Sequence, residues 1–147
     1  MKTITYLSIL IFAVIFTSCD ETKRVIDAAG NIQLTGNYTV TQINGNKPQG
    51  AVVPTFSLSA VDNSFKGTTG CNSVFGNYTL DLYAIDFGDL AVSAKECAES
   101  DVMQNERNFL DALKSTGSYD MQNNVLTFYS KTDRSVVLKA SKETNKN

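Results

Sequence analysis

The chain has 147 residues, 42% hydrophobic and 19% charged, with no histidine and no tryptophan. That composition suits one globular domain and takes away the main ligand of the usual Zn and Cu sites. The formal net charge is −2, and without a basic cluster the concentrated phosphate contacts of a nucleic-acid binder are excluded.

In chain order, Met1-Lys2 carries one positive charge and Ile4 to Phe16 is apolar. A run of about 13 residues is too short to span a bilayer as a helix but has the length of a signal-peptide core. It ends in Phe16-Thr17-Ser18-Cys19, which resembles a bacterial lipobox, with Phe16 where leucine is commoner. The resemblance implies cleavage after residue 18 and a lipid on Cys19, so that 1–18 is a signal peptide. A plain secretory leader and an uncleaved anchor are the alternatives. Several acyl chains make attachment effectively permanent, whereas one chain holds only marginally. Residues 19–33 are polar and small, and read as the lipidated cysteine and a flexible tether.

Leu34 to Ile43 alternates as a first strand, with Tyr38 and Val40 on one face. Asn44-Gly45 is the strongest short hairpin signal in the chain, and Asn46 to Pro54, holding both prolines, reads as an irregular loop. Further short strands are expected over Thr55–Ser59, from Phe65, over Phe75–Asp81 and over Tyr83–Phe87. The period then changes. Val102, Glu106, Phe109, Leu110 and Leu113 recur at helical spacing after a Ser100-Asp101 N-cap, with Met103 extending the apolar stripe, and Ser115-Thr116-Gly117 ends the helix. Strands over Ser118–Met121, Val125–Tyr129 and Ser135–Lys139 follow. Thus the domain occupies 34–140, and 141–147 is a disordered tail. The fold class is mainly antiparallel β, a barrel-like or curled sheet of about eight strands with one amphipathic helix.

Gly67-Thr68-Thr69-Gly70-Cys71-Asn72-Ser73-Val74-Phe75-Gly76-Asn77-Tyr78 separates two of these strands. Glycine inside a β pattern marks a bulge, a bend or a close backbone approach. The spacing of Gly67, Gly70, Cys71, Asn72, Gly76 and Tyr78 resembles the signature of the META domain, the family that includes the HslJ-type heat-inducible lipoproteins. Cys97, the Phe109-Leu110-x-x-Leu113 helix face and Leu126-x-Phe128 extend the resemblance over roughly 34–139. Tyr38 replaces a commoner tryptophan, and Ser93 a commoner threonine. The family implies a barrel-like β fold with one helix, an envelope location and a stress-related role, but no reaction.

If Cys19 carries lipid, Cys71 and Cys97 remain as an even pair in an oxidising compartment, which reads as a disulfide. Buried free thiols are the bland alternative. A catalytic thiol lacks a histidine base. Asn72 beside the glycine corner is suited to satisfying stray backbone groups. Asp81, Asp86 and Asp89 read as solvated turn carboxylates, short of the oxygen density a calcium loop needs. Asn37-Tyr38-Thr39 and Asn77-Tyr78-Thr79 match the glycosylation sequon but read as strand residues.

No catalytic residue, metal or cofactor is expected. The expected function is a non-enzymatic, lipid-anchored envelope protein, monomeric, membrane-bound through Cys19, with an envelope protein as possible partner. The alternatives are an inhibitor of a secreted hydrolase, presenting the Asn46–Pro54 loop, and a carrier of a small apolar ligand in a barrel mouth.

Overall fold

The computed structural model describes residues 29–144 apart from 31, 51 and 98. The expected signal peptide, Cys19, most of the tether and the last three residues lie outside the described residues. The chain runs β1 (Gly36–Ile43), β2 (Thr55–Ser59), β3 (Ser64–Thr68), β4 (Ser73–Asp81), β5 (Ala84–Phe87), β6 (Ala91–Val92), α1 (Ser100–Ser115), β7 (Thr116–Gln122), β8 (Val125–Ser130) and β9 (Val136–Lys142).

Every strand pairing is antiparallel. Around the ring the order is β1-β2-β3-β4-β5-β7-β8-β9, and β9 returns to β1. This is a closed eight-stranded barrel, and β6 is one extra strand that continues along the β5 side of β4. Closure removes the open edges that a sheet of this length otherwise exposes. The thinnest seam lies between β5 and β7, joined at the single register position Ala84↔Ser118.

Rings fill the interior. Tyr38 stacks on Phe56 at 5.0 Å and Phe56 on Phe65 at 5.5 Å, while Phe87 meets Phe65 and Phe128 edge-on at 5.3 Å. Phe109 of α1 completes the group, 6.2 Å from Phe56 and 6.5 Å from Phe65. Each such ring contributes roughly 1.5–3 kcal/mol through burial. Ala112 and Leu113 are buried beside it, so α1 packs on the barrel through its Phe109–Leu113 side.

Several element boundaries differ from the sequence expectation. Residues 32–34 are helical and the first strand starts at Gly36. Leu34, expected to open the first strand, ends this helical turn instead; it is fully buried, and its carbonyl accepts the Tyr38 hydroxyl at 2.6 Å. The helix cap is Glu99, whose side chain makes no capping bond, and not Ser100. Met103 faces solvent and does not extend the apolar stripe. Strand β7 begins directly at Thr116, whose N–H caps Leu113 O. Strand β9 runs to Lys142, into the expected tail, because Glu143 N–H bonds Asn37 O and Tyr38 pairs with Lys142. A register shift after Phe128 turns Val137 and Leu138 inward and leaves Val136 half-buried.

The Asn44-Gly45 turn forms, with φ of 48° and 82°. The chain does not return as a hairpin strand but continues into the 46–54 loop, which Asn105 pins to α1. The Asn105 side chain donates to Gln49 O at 2.6 Å and accepts from Gln49 N–H at 3.3 Å.

Candidate functional site

The corner between β3 and β4 is built from its glycines outward. Gly70 has φ +102°, in the left-handed region where a β-carbon is penalised. At Gly67 a β-carbon would lie 2.8 Å from Thr55 O, so β2 and β3 approach there as only glycine permits. Thr69 and Asn72 close the turn. Thr69 N–H donates to Asn72 O at 2.9 Å, and Asn72 N–H to Thr69 Oγ1 at 3.0 Å.

Both side chains are then used up. Asn72 is 3% exposed and Thr69 is fully buried. Asn72 Oδ1 accepts from Lys95 N–H at 2.8 Å and from Ser93 Oγ at 2.9 Å. Its Nδ2 donates to Glu106 Oε2 at 2.9 Å, and Thr69 Oγ1 donates to the same oxygen at 2.6 Å. Cys71 and Cys97 are joined by a disulfide, with their Cα atoms 6.1 Å apart. One covalent bond and one carboxylate thus tie the corner to the segment before α1 and to α1 itself.

Asn72 does satisfy backbone groups, as its position suggests. Its second task, holding the helix through Glu106, and the parts of Thr69 and Asn105 are not in the sequence reading. The available signal was Glu106 itself, a lone carboxylate on an otherwise apolar helix face. Ser93, in place of the commoner threonine, keeps the hydroxyl that bonds Asn72 Oδ1 and also accepts from Ser73 N–H at 3.0 Å.

The remaining signature positions are packing positions. A β-carbon at Gly76 would lie 2.8 Å from Leu90 Cδ2. Tyr78 is buried and donates to Ser59 O at 3.2 Å. Its hydroxyl is pushed up to about 12 by burial first, then by the charges of Asp62 and Tyr119. Burial first, then Tyr78, drives Tyr38 further in the same direction. The two Asn-Tyr-Thr triplets are therefore strand segments whose tyrosines anchor the core. Asn77 Nδ2 holds the β2–β3 turn through Asp62 O at 3.2 Å. Asp81, Asp86 and Asp89 join no group of three metal-binding side chains among the described residues.

A small antiparallel barrel, plugged by one helix and clamped at a glycine corner by a disulfide and a half-buried amide–carboxylate contact, is the class that this geometry defines. The chain belongs to the META domain family, whose model matches residues 31–143. Among solved structures it is similar to a protein from Burkholderia xenovorans determined by NMR. That pair is 21% identical with a TM-score of 0.62, covering 80% of this chain and 88% of that one. A DUF4847 family protein from Bacteroides vulgatus is 14% identical with a TM-score of 0.54, covering 79% of this chain and 99% of that one. These likenesses carry the fold alone. No curated protein matched the chain.

Proposed function

We propose that the protein is a lipid-anchored, non-enzymatic module of the bacterial cell envelope, tethered through Cys19 with its META barrel held off the membrane surface. The Cys71–Cys97 bond carries this reading. Such a bond persists in an oxidising compartment and is rare in the cytosol. It occupies two of the chain's three cysteines and leaves Cys19, at the end of the apolar leader, as the third. A scaffold role is supported by the corner, where Thr69, Asn72 and Glu106 are spent on one another. The stress-related part rests on the HslJ-type resemblance.

The test is metabolic labelling with an alkyne fatty acid in a lipoprotein-processing host. Wild-type protein should take the label and sediment with membranes, while Cys19→Ser should do neither. Unlabelled wild-type protein recovered in the soluble fraction would overturn the anchor.

A second reading, inhibition of a secreted hydrolase, is favoured by one observation. The 46–54 loop is held rigidly by Asn105 while Val52 stays 48% exposed, and pre-organised loops bind with less ordering cost. The carrier reading has less support, because aromatic rings occupy the barrel interior among the described residues.

A further inference from the structure

On the outer wall, beside the thin β5–β7 seam, Tyr83, Ser118, Tyr119, Tyr129 and Arg134 line a concave cleft of about 370 Å³. Its floor is small: Ser118 pairs with Ala84 on one side and with Tyr129 on the other. Tyr83 is 72% exposed. Arg134 forms no ion pair among the described residues, and none of the lining residues is a carboxylate.

The backbone adds an independent observation. Among the described residues six non-glycine positions have positive φ, and four of these are asparagines, the type that tolerates it. The other two are Leu82, at φ 56°, and Arg134, at φ 60°. Leu82 opens the two-residue β4–β5 turn and so aims Tyr83; Arg134 itself lines the cleft. Unfavourable backbone persists where surrounding structure over-determines it, and such residues cluster at binding and catalytic sites. Here both non-asparagine cases sit at one cleft, well away from the disulfide corner in the chain.

We propose that this cleft binds an acidic saccharide, with the Tyr83 and Tyr129 rings receiving the apolar face of a sugar and Arg134 pairing with its carboxylate. Tyrosine offers a large, rigid, amphipathic surface at low entropic cost. The hydroxyls of Ser118, Tyr83 and Tyr129 meet sugar hydroxyls, while that of Tyr119 is held by Leu82 O. A guanidinium without an ion pair among the described residues favours a carboxylate, which it takes in a bidentate fork. The volume falls within the usual range for small-ligand clefts. This site does not depend on the lipid anchor or on the 46–54 loop.

The test is calorimetric titration of the full-length protein in detergent with tetragalacturonate, with neutral cellotetraose and with decaproline. Tetragalacturonate should bind more tightly than cellotetraose. Arg134→Ala should weaken it at least about tenfold, as loss of one charge-assisted pair implies. Tyr83→Ala and Tyr129→Ala should weaken both saccharides, while Val61→Ser, exposed elsewhere on the surface, should change nothing. Arg134→Ala, Tyr83→Ala and Val61→Ser should melt as wild type does, which separates a lost site from a lost fold, and half-buried Tyr129 is tested on the fold that remains at the titration temperature. The proposal is overturned by absence of heat at millimolar saccharide, by equal binding to the Arg134→Ala protein, or by preference for decaproline, which would make the cleft a groove for polyproline segments.

Discussion

The side-chain amide of Asn72 donates to the carboxylate of Glu106 at 2.9 Å, across 34 positions of sequence. This contact joins the β3–β4 corner to α1, and α1 carries Phe109 into the aromatic core. The corner and the core are therefore mechanically linked through one amide and one acid.

Removing Asn72 strands more than one partner. Asn72→Ala leaves Glu106 Oε2 one donor short and Lys95 N–H without its acceptor. Glu106 is half-buried and Lys95 exposed, so water partly replaces the lost partners; the expected loss is about 1–2 kcal/mol, or a Tm lower by about 4–8 °C. In a double-mutant cycle with Glu106→Ala, the coupling should be about 0.5–3 kcal/mol. Strict additivity in thermal melts would show that the contact is not energetically shared.

Reduction of Cys71–Cys97 should be tolerated in geometry and felt in stability. With a separation of 26 residues, loop-closure entropy gives roughly 3–4 kcal/mol. Urea unfolding of the Cys71→Ser/Cys97→Ser double variant should show a lower midpoint than wild type, with an unfolding free energy smaller by that amount. Equal midpoints would mean that the reduced corner loses nothing.

Alkaline pH should unfold the protein through its core tyrosines. Tyr78, held up to about 12 in the fold, ionises near 10 in the unfolded chain. The raised value means that the folded state keeps its proton longer. The contribution is complete below about pH 10 and is lost as the pH rises towards 12. Tyr38 acts in the same direction. A far-UV pH titration should show Tyr78→Phe unfolding at higher pH than wild type. At neutral pH the same variant should be less stable by about 1 kcal/mol, the worth of its bond to Ser59 O.

Helix α1 starts without a side-chain cap at Glu99. Glu99→Ser should supply one and stabilise by about 0.5–1 kcal/mol, read as a higher Tm. An unchanged Tm would place the helix start elsewhere than the φ/ψ of Glu99 indicates.

Much of this architecture is carried by local physics. Alternation placed Tyr38, Val40, Phe56 and Leu58 inward, and all four are buried. The three-and-four spacing placed Phe109 and Leu113 on the buried helix face. Gly67 and Gly70 mark a corner because one approaches β2 too closely for a β-carbon and the other takes positive φ. These requirements act over a few residues, so a linear chain displays them.

What the chain could not display is pairing across distance. Closure of the barrel through β9 and β1, the β5–β7 seam, the turn of Glu106 towards Asn72 and the meeting of Tyr83 with Arg134 join segments that are far apart in sequence. Glu106 shows this most plainly. By periodicity it is an acid on an apolar stripe, and only the arrival of Thr69 and Asn72 from the β3–β4 corner makes that position favourable, because a carboxylate drawn partly out of water is tolerated when donors meet it. Local preference therefore determined the strands, the helix and the corner, while tertiary structure decided which polar groups were consumed at the corner and placed exposed Tyr83 and Arg134 together at one cleft.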